Sequence, residues 1–169
     1  MMNRRLLPVL LLMPLLIAGC VGYQFGTSLP GNYKTICVKT FENKTGEPNL
    51  EFAATQAALR QFQSDGSLAV ADAVSADLIL ETSMAEARFD AVRFAKNRTA
   101  TANEYRMTVE SFITLTDRKT GDVLIAKRKV LGEASFRTQG DSQQARLSAQ
   151  PLVADDLAHQ IVKNVVEFW

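Results

Sequence analysis

The chain has one His and two Cys among 169 residues, which leaves almost nothing for a zinc site and cannot build a disulfide scaffold. It has a single Trp, and its net charge at pH 7 is only +1, from 19 Lys plus Arg against 18 Asp plus Glu. Near-neutrality excludes a broadly basic nucleic-acid-binding surface and a polyanionic tail. No Gly-rich phosphate loop, no G-x-S-x-G elbow and no H-E-x-x-H motif occurs, and there is no internal repeat. No cofactor and no metal are implied, and an enzyme reading has no residues to name. What is present is 47% hydrophobic against 22% charged residues. That is enough apolar material for one packed domain, with too many charges for a multispan membrane protein.

The N-terminus says where the chain goes. Arg4 and Arg5 precede an apolar run from Leu6 to Ala18, which ends in Ile17-Ala18-Gly19-Cys20. A basic start, a short apolar stretch and small residues make a secretory signal, too short to span about 30 Å of hydrocarbon as a helix. Cys20 directly after Ala-Gly resembles the bacterial lipobox, in which the thiol is diacylated, the signal is cut before the Cys and the new amine is acylated. Each buried acyl CH₂ contributes about 0.8 kcal/mol, so several chains together anchor a protein stably. In well-studied Gram-negative lipoproteins an Asp after the Cys favours inner-membrane retention; Val21 stands there, and by that resemblance the expected location is the outer membrane. The expected organisation is a removed signal peptide (1–19), a lipidated tether (20–34) rich in Gly and Pro, and one domain (35–169).

Within the domain, Thr35 to Phe41 is a β-branched run that reads as a strand, with Cys37 as a small buried hydrophobe. Glu42 to Pro48 is dense in turn formers. A helix follows, with Asn49 as N-cap, an apolar stripe of Phe52, Ala54, Ala58, Leu59 and Phe62, and Gly66 as its stop. Leu68 to Ala71 reads as a short strand and Asp77 to about Phe94 as a long extended segment, with a helix over Ala85–Ala95 as the alternative. Tyr105, Met107, Val109, Ser111, Ile113 and Leu115 alternate with mostly polar neighbours, a clear period of two. Asp117 to Asp122 is a hairpin turn, and Val123 to about Phe136 returns antiparallel. The last element is a helix in which Ala149, Val153, Leu157, Ile161 and Val165 recur every four residues; Pro151 either begins it or kinks a longer one. The fold expected is α+β, a two-layer sandwich with a mixed or antiparallel sheet of about four strands and two helices packed on one face.

His159 lies about 200° around that helix from Leu157 and Ile161, on the side away from the core stripe. Asp155 and Asp156 are adjacent and do not face each other, so they read as exposed charge. Charge placement is more informative. Between Arg88 and Lys129 there are ten basic and five acidic residues, an excess of +5, while the rest of residues 20–169 carries seven basic and thirteen acidic, or −6. Antiparallel pairing puts Arg93, Lys96 and Arg98 in one inter-strand connection and Arg118 and Lys119 in the hairpin at the opposite end. These five are the candidate anion-binding residues, and basic strand tips that keep the domain soluble are the other account of them.

Four segments occur in a suggestive order: Gly19-Cys20-Val21-Gly22-Tyr23-Gln24-Phe25, then Phe41-Glu42-Asn43-Lys44-Thr45, Glu104-Tyr105-Arg106-Met107-Thr108-Val109 and Asp117-Arg118-Lys119-Thr120-Gly121. In that order and spacing the chain resembles the LptE family, the lipoprotein component of the lipopolysaccharide-assembly complex of Gram-negative outer membranes. The resemblance implies a non-enzymatic lipoprotein, lipid-anchored on the periplasmic side of the outer membrane. It would plug the LptD β-barrel, assist that barrel's assembly and bind lipopolysaccharide; nucleic acid is not a partner. Lipid phosphates would suit Arg and Lys. Phe41 to Gly46 before a helix is also similar to outer-membrane lipoproteins that activate peptidoglycan synthases or assemble secretion pores. A fifteen-residue tether, under roughly 55 Å extended, is short for an activator that must reach across the periplasm.

Overall fold

The computed structural model describes residues 33–94, 102–137 and 142–168. In chain order they form β1 (Thr35–Val38), β2 (Glu42–Asn43), α1 (Leu50–Asp65), β3 (Ala69–Val70), β4 (Leu78–Phe94), β5 (Ala102–Asp117), β6 (Val123–Arg137) and α2 (Ser142–Val166). The sheet order is β3-β1-β4-β5-β6, with β2 also paired to β4. Pairing is parallel among β1, β2, β3 and β4 and antiparallel from β4 to β6.

The sheet is mixed, as expected, but it has six strands rather than about four. The short strand expected over Leu68 to Ala71 is β3, two residues long and added outside β1. The other short strand, β2, lies in the segment read as a turn and continues the line of β1 along β4 after a three-residue break. Two residues of β2 show no alternation, and only the neighbouring strand's free hydrogen-bonding groups reveal it. The helix alternative for Ala85–Ala95 is not adopted, because β5 supplies a partner for β4 as far as Phe94, the last residue described there.

Both helices cover one face. Leu78, Leu80 and Met84 of β4, Met107, Val109, Ile113 and Leu115 of β5 and Ile125 and Val130 of β6 are buried in one cluster with residues of both helices. α1 contributes Leu50, Ala54, Ala57, Ala58 and Phe62. Phe52, expected in that stripe, is 60% exposed. The buried positions run in steps of four from Leu50, and Phe52 lies about 200° around the helix from Ala54. Asn49 precedes the helix but its side chain caps nothing; it takes a left-handed conformation, φ 63°, that turns the chain into α1. Gly66, also left-handed, ends the helix as expected, its N–H reaching the Phe62 carbonyl.

α2 runs unbroken through Pro151, so the helix does not begin there. The proline and Leu147, whose carbonyl loses its helical donor, are both exposed, so water satisfies the freed group. The buried stripe Ala149, Val153, Leu157, Ile161 and Val165 lies on the sheet as its spacing requires, and His159 is exposed on the other side. Where α2 crosses β6 the backbones touch: a Cβ at Gly132 would stand 2.5 Å from Leu157 Cβ.

Asp155 and Asp156 both have structural partners. Asp155 pairs with Arg60 of α1 at 3.0 Å, and Asp156 Oδ2 accepts the Glu133 backbone N–H at 2.8 Å on the outer edge of β6. β6 is an edge strand, and a carboxylate on one of its free donors blunts pairing with another chain. Cys37 is buried and free.

Candidate functional site

The register puts the hairpin that holds Arg118 and Lys119 at the opposite end of the sheet from Arg93, which lies in β4 and not in the connection expected for it. Leu78 pairs with Asp117 at one end of the long strands and Phe94 with Ala102 at the other, so the β5–β6 hairpin and the β4–β5 connection lie at opposite ends. With strands of fifteen to seventeen residues rising about 3.3 Å each, those ends are roughly 50 Å apart.

At the hairpin end, Arg118 and Lys119 have partners within the fold. Lys119 Nζ lies 2.9 Å from Asp77 Oδ1, and Arg118 donates through Nε to the Ala76 carbonyl. The other oxygen of Asp77 accepts from the backbone N–H groups of Lys34 and Thr35 and from the Thr35 hydroxyl. Lys119, the backbone donors and that hydroxyl together hold the Asp77 carboxyl well below the usual carboxylate range. Asp117 closes the turn, accepting the backbone N–H groups of Lys119 and Thr120 on one oxygen and the Tyr33 hydroxyl at 2.7 Å on the other. The Tyr33 bond is the leading reason its pKa is lowered, and the same bond raises that of Tyr33. Tyr33 and Lys34, grouped with the tether by sequence, are thus tied to the sheet. Asp77 did not stand out in the sequence, because its side-chain partners are more than forty residues away, and the Tyr33 bond to Asp117 spans 84 positions.

At the opposite end, Arg93 lies in β4 paired with Glu104; Lys96 and Arg98 lie outside the described residues, as does Cys20. Around that end β4, β5, β6 and α2 gather an aromatic cluster. Phe136 meets Phe89 edge-on at 6.2 Å and stacks on Tyr105 at 6.0 Å, and the Arg146 guanidinium lies 4.1 Å from the Phe89 ring centre. A groove of about 510 Å³ opens beside it, lined by Phe136, Arg137, Gln144, Ala145, Ser148 and Leu152 among others. Cation and aromatic surface therefore stand together, a combination that attracts an amphiphile with an anionic head.

The Phe41-Glu42-Asn43-Lys44-Thr45 segment has a structural explanation. Phe41 is buried and its N–H donates to the Thr55 hydroxyl. Asn43 is the hub of the turn, donating to the Glu47 carbonyl and the Glu51 carboxylate and accepting from Thr45. Among the described residues no group of three or more His, Cys, Asp or Glu could hold a metal ion, and no helix is long and apolar enough to cross a membrane.

A six-stranded mixed sheet with two helices on one face defines the class, and solved bacterial lipoproteins and a hypothetical protein share that fold. The hypothetical protein CT253 from Chlamydia trachomatis aligns with TM-score 0.54 at 10% identity, covering 80% of this chain and 97% of that one. Uncharacterized lipoprotein B from Nitrosomonas europaea gives 0.53 at 10% identity over 80% and 84%. A minor lipoprotein from Acinetobacter baumannii gives 0.52 at 15% identity over 80% and 94%. Likeness at these identities concerns the fold alone. No curated protein sequence matches the chain significantly. The model of the lipopolysaccharide-assembly family LptE matches residues 33–166, nearly the whole described domain. The chain belongs to the LptE family.

Proposed function

We propose that the protein is a non-enzymatic outer-membrane lipoprotein, anchored on the periplasmic side through acyl chains on Cys20. In this reading it plugs an LptD-like β-barrel and assists lipopolysaccharide binding and insertion into the outer leaflet. The observation that carries this reading is the family match over residues 33–166. The lipobox supports the anchor, and a compact domain with no spanning helix among its described residues suits a plug.

For lipopolysaccharide the far end is the better candidate of the two. Arg93 pairs there within the sheet, Lys96 and Arg98 follow it in sequence, and the aromatic cluster under Arg146 is beside it. Arg118 and Lys119 spend donors on Ala76 and Asp77, and an anion would have to displace those bonds. Mild detergent extraction and affinity purification from the native host tests the reading. A large β-barrel protein should copurify in near-equal amount, with bound lipopolysaccharide that falls when Arg93, Lys96 and Arg98 are reversed to Glu. Recovery of a peptidoglycan synthase or a secretion pore in place of the barrel overturns it.

A further inference from the structure

The face of the sheet turned away from the helices holds a cleft of about 600 Å³ that the barrel reading does not use. Its floor is Glu81 and Ser83 of β4 facing Thr114 and Phe112 of β5, pairs set by the register. One wall is the stretch from the end of β1 to just past β2, with Lys39, Thr40, Glu42 and Lys44; the other is Lys127 of β6. Three strand spacings separate the walls, about 14 Å. A volume in this range is that of a small-molecule site.

Lys127 is the unusual member. Opposite Thr114 the pairing of β5 with β6 shifts, Ile113 facing Arg128 and Leu115 facing Ile125, so Ala126 and Lys127 form a bulge. Lys127 adopts φ 43°, a left-handed conformation that costs a non-glycine residue free energy. A bulge re-aims a side chain out of the ladder, and strain retained at one residue is a reason to look for a function there. Lys39 and Lys44 are neutralised by Glu81 at 2.6 Å and Glu42 at 2.9 Å. Lys127 has no ion pair among the described residues, which leaves the cleft a positive charge opposite hydroxyls and an aromatic ring.

We propose that this cleft binds a phosphorylated sugar. Lys127 meets the phosphate as a point charge, the hydroxyls of Thr40, Ser83 and Thr114 exchange hydrogen bonds with the sugar's own, and the Phe112 side chain supports the ring's apolar face. A sugar of one or two rings fits between walls about 14 Å apart. The assignment is independent of the barrel partnership, since the cleft is complete within one chain.

The test is saturation-transfer NMR on the full mature lipoprotein in neutral detergent, with glucose 1-phosphate, glucose and inorganic phosphate as probes. Glucose 1-phosphate should give ring-proton signals that glucose does not, falling at least fivefold in Lys127→Asn and at high salt. Asn tolerates the left-handed backbone, so this variant removes charge and keeps the bulge. Thr114→Val, which keeps side-chain shape, should also weaken the signal and carries the test if the first variant fails to fold. Displacement by lipopolysaccharide micelles assigns the sugar phosphate to a glycolipid headgroup, and persistence of the signal assigns it to a soluble compound. Equal signals from glucose, or no change in either variant, overturn the proposal. Inorganic phosphate competing as well as glucose 1-phosphate overturns the sugar specificity.

Discussion

Gly132→Ala is the sharpest test of how the two layers are joined. The added methyl would lie 2.5 Å from Leu157 Cβ, 2.9 Å from its Cα and 3.0 Å from its N. Carbon atoms in good contact are about 3.5–4.0 Å apart, so β6 and α2 must part by about 1 Å. No rotamer change avoids this, since every clashing atom is backbone or Cβ. A gap of that size forfeits roughly a quarter to a half of each contact across it. The residues concerned are Val153, Leu157, Ile161 and Val165, all at most 1% exposed. Burial of each is worth about 1.5–3 kcal/mol, so losing about a third over the four costs roughly 3 kcal/mol. With a urea m-value near 2 kcal/mol/M, the unfolding midpoint should fall by about 1.5 M at unchanged m. Leu157→Ala keeps Cβ, Cα and N, so combining it with Gly132→Ala should give no rescue. A midpoint shift below about 0.3 M for Gly132→Ala would refute the close backbone approach.

Two further perturbations probe polar groups inside the sheet. The Thr82 hydroxyl is buried beside the core without a hydrogen-bond partner, so Thr82→Val should stabilise the domain by about 1 kcal/mol, seen as a higher urea midpoint; a lower midpoint would show that the hydroxyl has a role. Asp77, with its lowered pKa, contributes stability that is fully present above its unfolded value near 3.9 and is lost as the pH falls toward its folded value. Asp77→Asn should therefore be less stable than the parent at pH 7, and the gap should close as the pH drops below about 4. A gap independent of pH would mean that shape rather than charge holds the corner.

Much of the fold was legible because periodicity is a local property. The alternation from Tyr105 to Leu115 and the four-residue steps from Ala149 to Val165 each name an element and its buried face, and both are found. The misreadings occur where a local signal is weak or partners are remote. β2 is too short to alternate, and Asn49 has a good N-cap side chain but sits in a left-handed turn. The bulge at Lys127 left a trace. Ile125, Arg128 and Val130 all face the helices, and the odd spacing from 125 to 128 cannot occur in a regular strand. The basic run Lys127-Arg128-Lys129 disguised it as simple surface charge. Arg128 in fact reaches under α2, its guanidinium over the Phe168 ring at 4.9 Å.

Alone, the sequence determined the class of the molecule: a helix-backed sheet and motifs in the LptE order. These depend on residues near one another along the chain, where spacing maps directly onto geometry. Only the tertiary structure decided what each charge does. Lys119 and Arg118 are drawn into the Asp77 corner, Asp156 guards the β6 edge and Lys127 in its cleft has no ion pair among the described residues. Electrostatic attraction acts over a few ångströms in space, and strand pairing sets residues forty or more positions apart within that range.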